Sequence, residues 1–359
     1  MNCQSEKIVF ALGRPFGPLY ALAMKFRALL YRKNVLKIHD LPVPVISVGN
    51  LTMGGSGKTP LVVYLANFLQ EKGFKPAVIS RGYRGTSNNP VTIVSDGQTI
   101  LSDPLLSGDE PYLIAQSTHG IVVATGKKRI HPCRKVIELF NCDVILLDDA
   151  FQHLAVSRSV DLVLFDVVSF AGNSRVFPGG ELREPVSALN RCDAFILTGI
   201  AESNQERTRK CSELLADKFS EKPIFKIHRS YPGAVKHTRT AVNISSEVIP
   251  LEHLPHNLFG ICGIAKPERF RQSLEDAEII IGDFKTFPDH CNYTQDDVET
   301  LRRQVIETAA SGILTTEKDM TKLARMDFGD ITIYTLPLSF DSNEALEDFI
   351  LSKIGVETC

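Results

Sequence analysis

The chain has 359 residues, 43% of them hydrophobic and 23% charged, with a formal net charge of -2 at pH 7. That length exceeds one ordinary core, so two domains are the natural expectation, and a charge so near zero gives no reason to expect nucleic acid as a partner. The eight cysteines stand singly, without Cys-x-x-Cys or metal-ligand spacing, and read as reduced thiols rather than a disulfide framework.

In chain order, residues 1–40 carry Lys7, Arg14, Lys25, Arg27, Arg32, Lys33 and Lys37 against Glu6 and Asp40. No small-residue cleavage site follows a compact apolar core there, so no secretory signal is expected. Within the segment, "GPLYALAMKFRALLYRK" predicts a helix with Leu19, Leu22, Phe26, Leu29 and Leu30 on one face. Lys25 and Arg32 lie beside that stripe, and Tyr20 and Tyr31 border another side. Such a pattern fits a helix lying in a membrane interface and equally one packed on a core. No apolar stretch approaches the ~20 residues of a membrane span.

From residue 43 short β-rich runs alternate with helical stretches. "VPVISVGN" predicts a strand, followed by the glycine-rich turn "LTMGGSGKTP" and a helix to about Gly73. Strands follow at "PAVIS", "GIVVAT", "CDVILLDD", "VDLVLFDV", "DAFILTG" and "PIFKIHRS". Continuous Val/Ile/Leu runs separated by helices predict a parallel sheet covered on both faces, with ligands beyond the carboxyl ends of its strands. Residues 230–245 are polar and turn-rich, a linker or a short hairpin. Strands resume at "NLFGICGI", "AEIIIGDF", "GILTT" and "ITIYTLPL", alternating with helices at about 266–276, 295–310 and 343–354. The predicted fold is therefore α/β, a P-loop NTPase-like sheet with helices on both faces plus a smaller C-terminal α/β domain. The boundaries read as 1–40 for the N-terminal segment, 41–235 for the P-loop domain and 236–359 for the second domain.

The turn carries chemistry. Gly57, Lys58 and Thr59 end a GxxxxGK[ST] loop, with Thr52 where the pattern has its first glycine and Gly54 and Gly55 restoring freedom inside. Such a loop turns consecutive backbone N–H groups toward one anion at a helix N-terminus. Its lysine reaches the outer phosphates and its hydroxyl ligates Mg2+. "VILLDDAFQH" ends a buried strand with Asp148 and Asp149, as a Walker B strand does, and the two carboxylates leave on opposite faces. The other polar clusters are ambiguous alone. Asp109 and Glu110 open a predicted helix, where acids are favoured simply by the dipole. Asp289 and His290 precede another helix start, Arg183 and Glu184 read as a surface loop, and Arg81 and Arg84 as anion contacts or surface charge.

Together, "PVISVGNLTMGGSGKTP", "VISRGYRG", "SGDEPYLIA", "LLDDAFQHL", "PGGELREPVSAL", "FGICGIAKPERF", "FPDHCNYT" and "LTTEKDMTKL", in that order, resemble the tetraacyldisaccharide 4'-kinase family, the lipid A 4'-kinases of Gram-negative bacteria. The family also begins its P-loop without the usual glycine. The resemblance implies ATP and Mg2+ as cofactors. Thr52, Met53, Gly54, Gly55, Ser56, Gly57, Lys58 and Thr59 would hold the ATP phosphates, and Asp148 and Asp149 would lie near Mg2+ with Thr59. It implies Asp109 as general base and His290 as the histidine assisting it. Glu110, Arg129, Gln152 and Glu184 match polar residues lining the same cleft, with Gln152 grouped with the nucleotide contacts. Ala150 stands where the family has glycine, which demands ordinary φ there and unsettles the placement of Gln152. The implied partners are a lipid A disaccharide 1-phosphate and an anionic membrane surface, with no obligate protein partner, at the cytoplasmic face of the bacterial inner membrane. That location favours lipid for the N-terminal stripe. The competing reading is a P-loop ATPase switch with nucleotide-controlled membrane binding, but its signature lysine position holds Met53. A small-molecule kinase without lipid would leave the stripe as core.

Overall fold

In the computed structural model of the chain, which describes residues 9–54, 57–239, 244–289 and 291–355, the apolar runs of the first part form one eight-stranded sheet. Its strands are β1 (Val45–Asn50), β2 (Pro76–Ser80), β3 (Thr92–Asp96), β4 (Val122–Thr125), β5 (Val144–Asp148), β6 (Val160–Asp166), β7 (Ala194–Thr198) and β8 (Ile224–Lys226). They run in the order β3-β4-β2-β5-β1-β6-β7-β8. All neighbours are parallel except β3, which runs against β4. Strands β1, β2, β4, β5, β6 and β7 are buried at every residue, as unbroken aliphatic runs require when helices cover both faces. Strand β3 has no counterpart in the sequence reading. It is a half-exposed edge strand with a register shift, and carries neither a continuous run nor a clean alternation.

β1 lies centrally, with Val48 opposite Asp148 of β5 and Ile46 opposite Val160 of β6. Successive strands are laid down to either side of it, so the crevice beyond its carboxyl end is the topological switch point where ligands sit in such sheets. The helix Lys58–Glu71 follows directly and buries Leu61, Val62, Leu65, Ala66, Phe68 and Leu69.

The chain crosses out of this unit at β9 (Arg229–Ser230) and returns at β16 (Ser339–Phe340). Between them lies a second compact unit, Ser230–Ser339. Its sheet contains β10 (Ala234–Arg239), β11 (Ile244–Ile249), β12 (Phe259–Cys262), β13 (Asp283–Thr286), β14 (Ile313–Thr315) and β15 (Ile333–Thr335), in the order β11-β10-β15-β14-β12-β13. Of the two readings of residues 230–245, the structure contains the hairpin, β10 against β11. A buried carboxylate knits the unit together. Asp319 accepts from the Tyr293 hydroxyl at 2.9 Å, the Gly263 amide at 3.0 Å and the Thr316 hydroxyl at 2.6 Å.

Two details differ from the sequence reading. The isoleucine run 279–281 is not strand. Glu278 adopts φ 56° and the Ile279 amide bonds the Leu274 carbonyl at 2.8 Å, so the run closes the helix Pro267–Asp276 with a left-handed turn, and the strand starts at Asp283. The last helix, Glu344–Lys353, was assigned to the C-terminal domain but belongs to the first unit, because Leu346, Ile350 and Leu351 share a core with Leu61 and Leu65. The first unit is thus discontinuous, and its second boundary falls near residue 340.

The N-terminal helix spans Gly17–Arg32. Leu19, Leu22 and Phe26 are 68%, 64% and 59% exposed, so the stripe is not packed as core. The helix rests on its other side, where Tyr20 meets the Phe177 ring edge-on at 5.6 Å between centroids. No helix among the described residues is long and apolar enough to cross a membrane.

Candidate active site

The turn after β1 starts from Asn50, whose side-chain amide reaches the Thr52 hydroxyl at 3.4 Å and the Gly54 carbonyl at 3.5 Å. Thr52 is buried and pairs with Leu182, and the Met53 amide bonds the Glu181 carbonyl at 2.8 Å. Thr52 has none of the positive φ that demands glycine, which explains how threonine serves at the head of this loop. Gly54 and Gly57 do need it, at φ 100° and 86°, and Gly57 is the N-cap of the helix that opens with Lys58 and Thr59. Gly55 and Ser56 lie outside the described residues.

Lys58 points back across the crevice to Asp149, with Nζ 3.6 Å from Oδ1. Arg183 Nη1 donates to both oxygens of Asp149 at 2.8 Å. Burial alone would push the Asp149 carboxyl up, but Lys58 and Arg183 outweigh it and hold the group at about 2, ionised at neutral pH. Asp148 behaves oppositely. Burial, then the charges of Glu110 and Asp149, push it up to about 7 against the pull of Lys58 and a 3.0 Å bond from Ser80 Oγ. Its Oδ1 is buried and has no hydrogen-bond partner. The two adjacent acids thus sit in different surroundings: Asp148 ends the buried strand, while Asp149 lies beyond it at φ 46° against Lys58 and Arg183, so the strand alternation expected from the sequence does not extend to it.

Gln152 is anchored despite Ala150. Its Nε2 donates to the Asn50 carbonyl at 2.9 Å, and Ala150 is buried with ordinary backbone while Asp149 takes the positive φ of 46°. Arg129 is buried, donates to the Gly126 carbonyl at 3.2 Å and is drawn down to about 10 by burial, which Asp148 and Asp149 partly offset. Asp109 and Glu110 form the first turn of the helix Asp109–Ser117, and Glu110 stands close enough to Asp148 to raise its proton affinity. The preceding "RGYRG" loop packs against this turn. A side chain at Gly85 would lie 2.5 Å from the Leu106 carbonyl oxygen, and one at Gly108 would lie 2.6 Å from that of Tyr83.

His153 extends the site toward the N-terminal helix. Burial and the charges of Arg129, Arg158, Arg27 and Arg81 lower it to about 4, so it is a neutral imidazole in a positive field, with Nε2 buried and unbonded. Arg27 reaches the Gln152 carbonyl at 3.1 Å. Beyond lies a cavity of about 730 Å3 lined by Lys25, Arg32, Arg158, Asp161, Glu184 and Arg191 among others. Glu184 is buried here with Arg191 Nη1 at 2.8 Å, so the structure places it in this cavity and not in the Lys58–Asp149 cluster.

The structure therefore brings together Lys58, Asp148, Asp149, Gln152, Arg129 and Glu110, with Thr59 and Asp109 on the same helix starts. His290 lies outside the described residues. Arg183 carries the densest contacts to Asp149, yet its flanking turn residues read as a surface loop. The signal was the backbone pairing of that loop to the P-loop, Arg183 amide to Leu51 carbonyl at 2.8 Å, which sequence periodicity does not encode.

Residues 9–355 match the family described as tetraacyldisaccharide-1-P 4'-kinase. The chain belongs to that family. The tetraacyldisaccharide 4'-kinase of Desulfotalea psychrophila is 45% identical over 320 residues, 89% of this chain and 90% of that protein. That of Syntrophotalea carbinolica is 39% identical over 342 residues, 93% of this chain and 86% of that one. Among solved structures, LpxK from Aquifex aeolicus, crystallised in complex with ATP, is 30% identical with a TM-score of 0.74, over 95% of this chain and 98% of its own. The family match spans both units, so the expected α/β fold and the family resemblance of the eight ordered segments both hold.

Proposed function

We propose that the protein transfers the γ-phosphoryl group of ATP to the 4'-hydroxyl of a tetraacyldisaccharide 1-phosphate, giving the 4'-phosphorylated lipid and ADP. The observation that carries this is the Lys58–Asp149–Arg183 cluster at the head of the P-loop helix, in a chain belonging to a 4'-kinase family. The acceptor O4' forms a bond to the γ-phosphorus while the bond to the β,γ-bridging oxygen breaks. The Gly54 and Gly57 turn and the helix N-terminus cradle the phosphates, Lys58 exchanges Asp149 for phosphate oxygens, and Arg129 adds positive charge from a buried position.

The donor set suits Mg2+, because Asp148 has a buried oxygen without a partner and Thr59 opens the helix beside it, both hard oxygen ligands. Thr59, Asp148 and Asp149 would hold the ion. Bound there, Mg2+ supplies neutralising charge to the β- and γ-phosphate oxygens. Asp109 takes the proton of the acceptor hydroxyl, a poor nucleophile until that proton leaves, and His290 supports Asp109 in doing so.

The acceptor's acyl chains keep it at a bilayer. The exposed Leu19, Leu22, Phe26 and Leu29 support docking of the N-terminal helix on lipid, peripherally, at the cytoplasmic face of the inner membrane. The positive field around His153 and the Lys25 and Arg32 lining of the cavity favour an anionic headgroup. The test is incubation with ATP, Mg2+ and the disaccharide 1-phosphate lipid in detergent, followed by mass analysis. A mass gain of one phosphoryl group on the lipid is expected. ATP turnover unchanged by the acceptor, with no phosphorylated lipid, would favour a nucleotide switch instead.

A further inference from the structure

The N-terminal helix is not the sole apolar surface of the first unit. Tyr83, Leu101, Leu105 and Leu106 are 58%, 57%, 58% and 49% exposed, and Ile100 adjoins them at 40%. They belong to one lobe built from two backbone segments. The Thr86 amide bonds the Leu105 carbonyl at 2.8 Å and the Ser87 amide bonds the Leu106 carbonyl at 3.2 Å. Asp103 caps the Leu105 amide at 2.7 Å, while Pro104 and Ser107 on either side of the leucines are buried. The backbone groups of 105 and 106 are thus satisfied inward while their side chains are held outward.

We propose that this lobe, residues 81–87 with 100–107, is a second foot on the membrane, inserting Tyr83, Leu105 and Leu106 at the interface of an anionic bilayer. The inference rests on the reading of the acceptor as a lipid. Charge selects the bilayer as occupant. Arg81 and Arg84 are exposed in the same loop, and the Arg84 guanidinium lies 5.7 Å from the centre of the Tyr83 ring. An aromatic ring and basic groups beside aliphatic side chains are the composition that sits at headgroup level. Position agrees. The lobe runs through Gly108 directly into Asp109, and acyl chains that cannot leave the bilayer require the phosphorylated hydroxyl to be reached close to it. Arg81 of this lobe and Arg27 of the N-terminal helix both lie near enough to His153 to lower its proton affinity. Two feet fix the orientation of the crevice on the surface, which one helix alone leaves free to rotate.

The chain contains no tryptophan, so a single introduced one reports unambiguously. Leu105→Trp, Phe26→Trp on the N-terminal helix and Leu214→Trp, 60% exposed on the helix Gln205–Lys218, are each mixed with phosphatidylglycerol vesicles carrying brominated acyl chains. Blue-shifted, quenched emission is expected from Leu105→Trp and Phe26→Trp and neither effect from Leu214→Trp. Vesicle-bound Leu105→Trp with unquenched emission overturns the proposal, as does failure of the full chain to bind vesicles. In a second arm, Tyr83→Ser with Leu105→Ser and Leu106→Ser should weaken vesicle partitioning roughly tenfold or more while sparing phosphorylation of detergent-dispersed acceptor. Partitioning equal to the parent overturns the proposal. Absence of lipid product from the parent protein in detergent counts against the kinase reading alone.

Discussion

Asp149 pairs with both Lys58 and Arg183, and in the proposed reaction Lys58 leaves it for a phosphate oxygen. Lys58→Ala should therefore lower kcat at least about a hundredfold while the melting temperature stays within a few degrees, because the side chain serves charge and not the core. A folded Lys58→Ala protein with near-normal turnover would remove the P-loop from the mechanism. Asp109→Ala should lower kcat by about 10²–10⁴-fold with little change in the KM for ATP. His290→Ala should act in the same sense, and the double variant should lose far less than the product of the two. Fully multiplicative losses would mean that the two side chains work independently. His153 makes a pH prediction. Burial and four arginines hold it at about 4, below its ordinary value, so the folded protein keeps it neutral while the unfolded chain protonates it first. The stability tied to the neutral ring is whole above about 6.5 and is lost as pH falls from there toward about 4. Denaturant titrations at pH 7 and pH 5 should show His153→Gln losing roughly 1 kcal/mol less over that interval than the parent. Equal losses would place the ring in a neutral setting.

At the scale of elements, the N-terminal helix turns Leu19, Leu22 and Phe26 to solvent, while Lys25 and Arg32 line a cavity together with Leu29. Leu22→Asp with Phe26→Asp should abolish sedimentation with anionic vesicles yet leave ATP binding and melting temperature unchanged. Apolar burial at ~25 cal/mol per Å2 is the affinity being removed, and the two added carboxylates offset the roughly 1 kcal/mol that each basic group gains at an anionic surface. A fall of many degrees in melting temperature would instead mean that the stripe is core. Periodicity could not decide between those outcomes, because it records which residues share a face and not what covers the face. The parallel strands were legible for the opposite reason: burial on both sides leaves an unbroken aliphatic run. The helix start bearing Lys58 and Thr59 and the strand end leading into Asp148 and Asp149 were legible with them. Strand β3, half exposed at an edge, left no such trace, and the isoleucines at 279–281 left a false one, since a helix-closing turn also takes apolar residues. Arg183 and His153 were hidden because most of their surroundings come from segments distant in sequence, Leu51 and Asp149 for one and Arg27, Arg81 and Arg129 for the other.

The molecule as a whole is threaded so that the nucleotide unit is completed by its last helix. The Tyr64 hydroxyl on the P-loop helix bonds the Glu347 carboxylate and receives the Asn343 amide at 3.0 Å, and the Phe340 ring lies 3.6 Å from where a side chain on Gly57 would begin. A chain stopped after Ser339 loses Phe340, Leu346, Ile350 and Leu351 from the core that holds Leu61 and Leu65. At about 2–5 kcal/mol for each large core side chain, the four come to about 8–20 kcal/mol, as much as the whole 5–15 kcal/mol by which domains are stable. The truncated protein should give no cooperative melt for the first unit and no ATP binding by fluorescence titration. Retained binding would show that the unit closes without its final helix. The same threading sets an order of events on the ribosome. The N-terminal helix emerges before the inserted unit, while the core beneath the P-loop helix is not complete until the segment after Phe340 clears the exit tunnel. On the proposed lipid docking, a nascent chain reaches a membrane before it can bind nucleotide, and a stalled one carries the address without the activity.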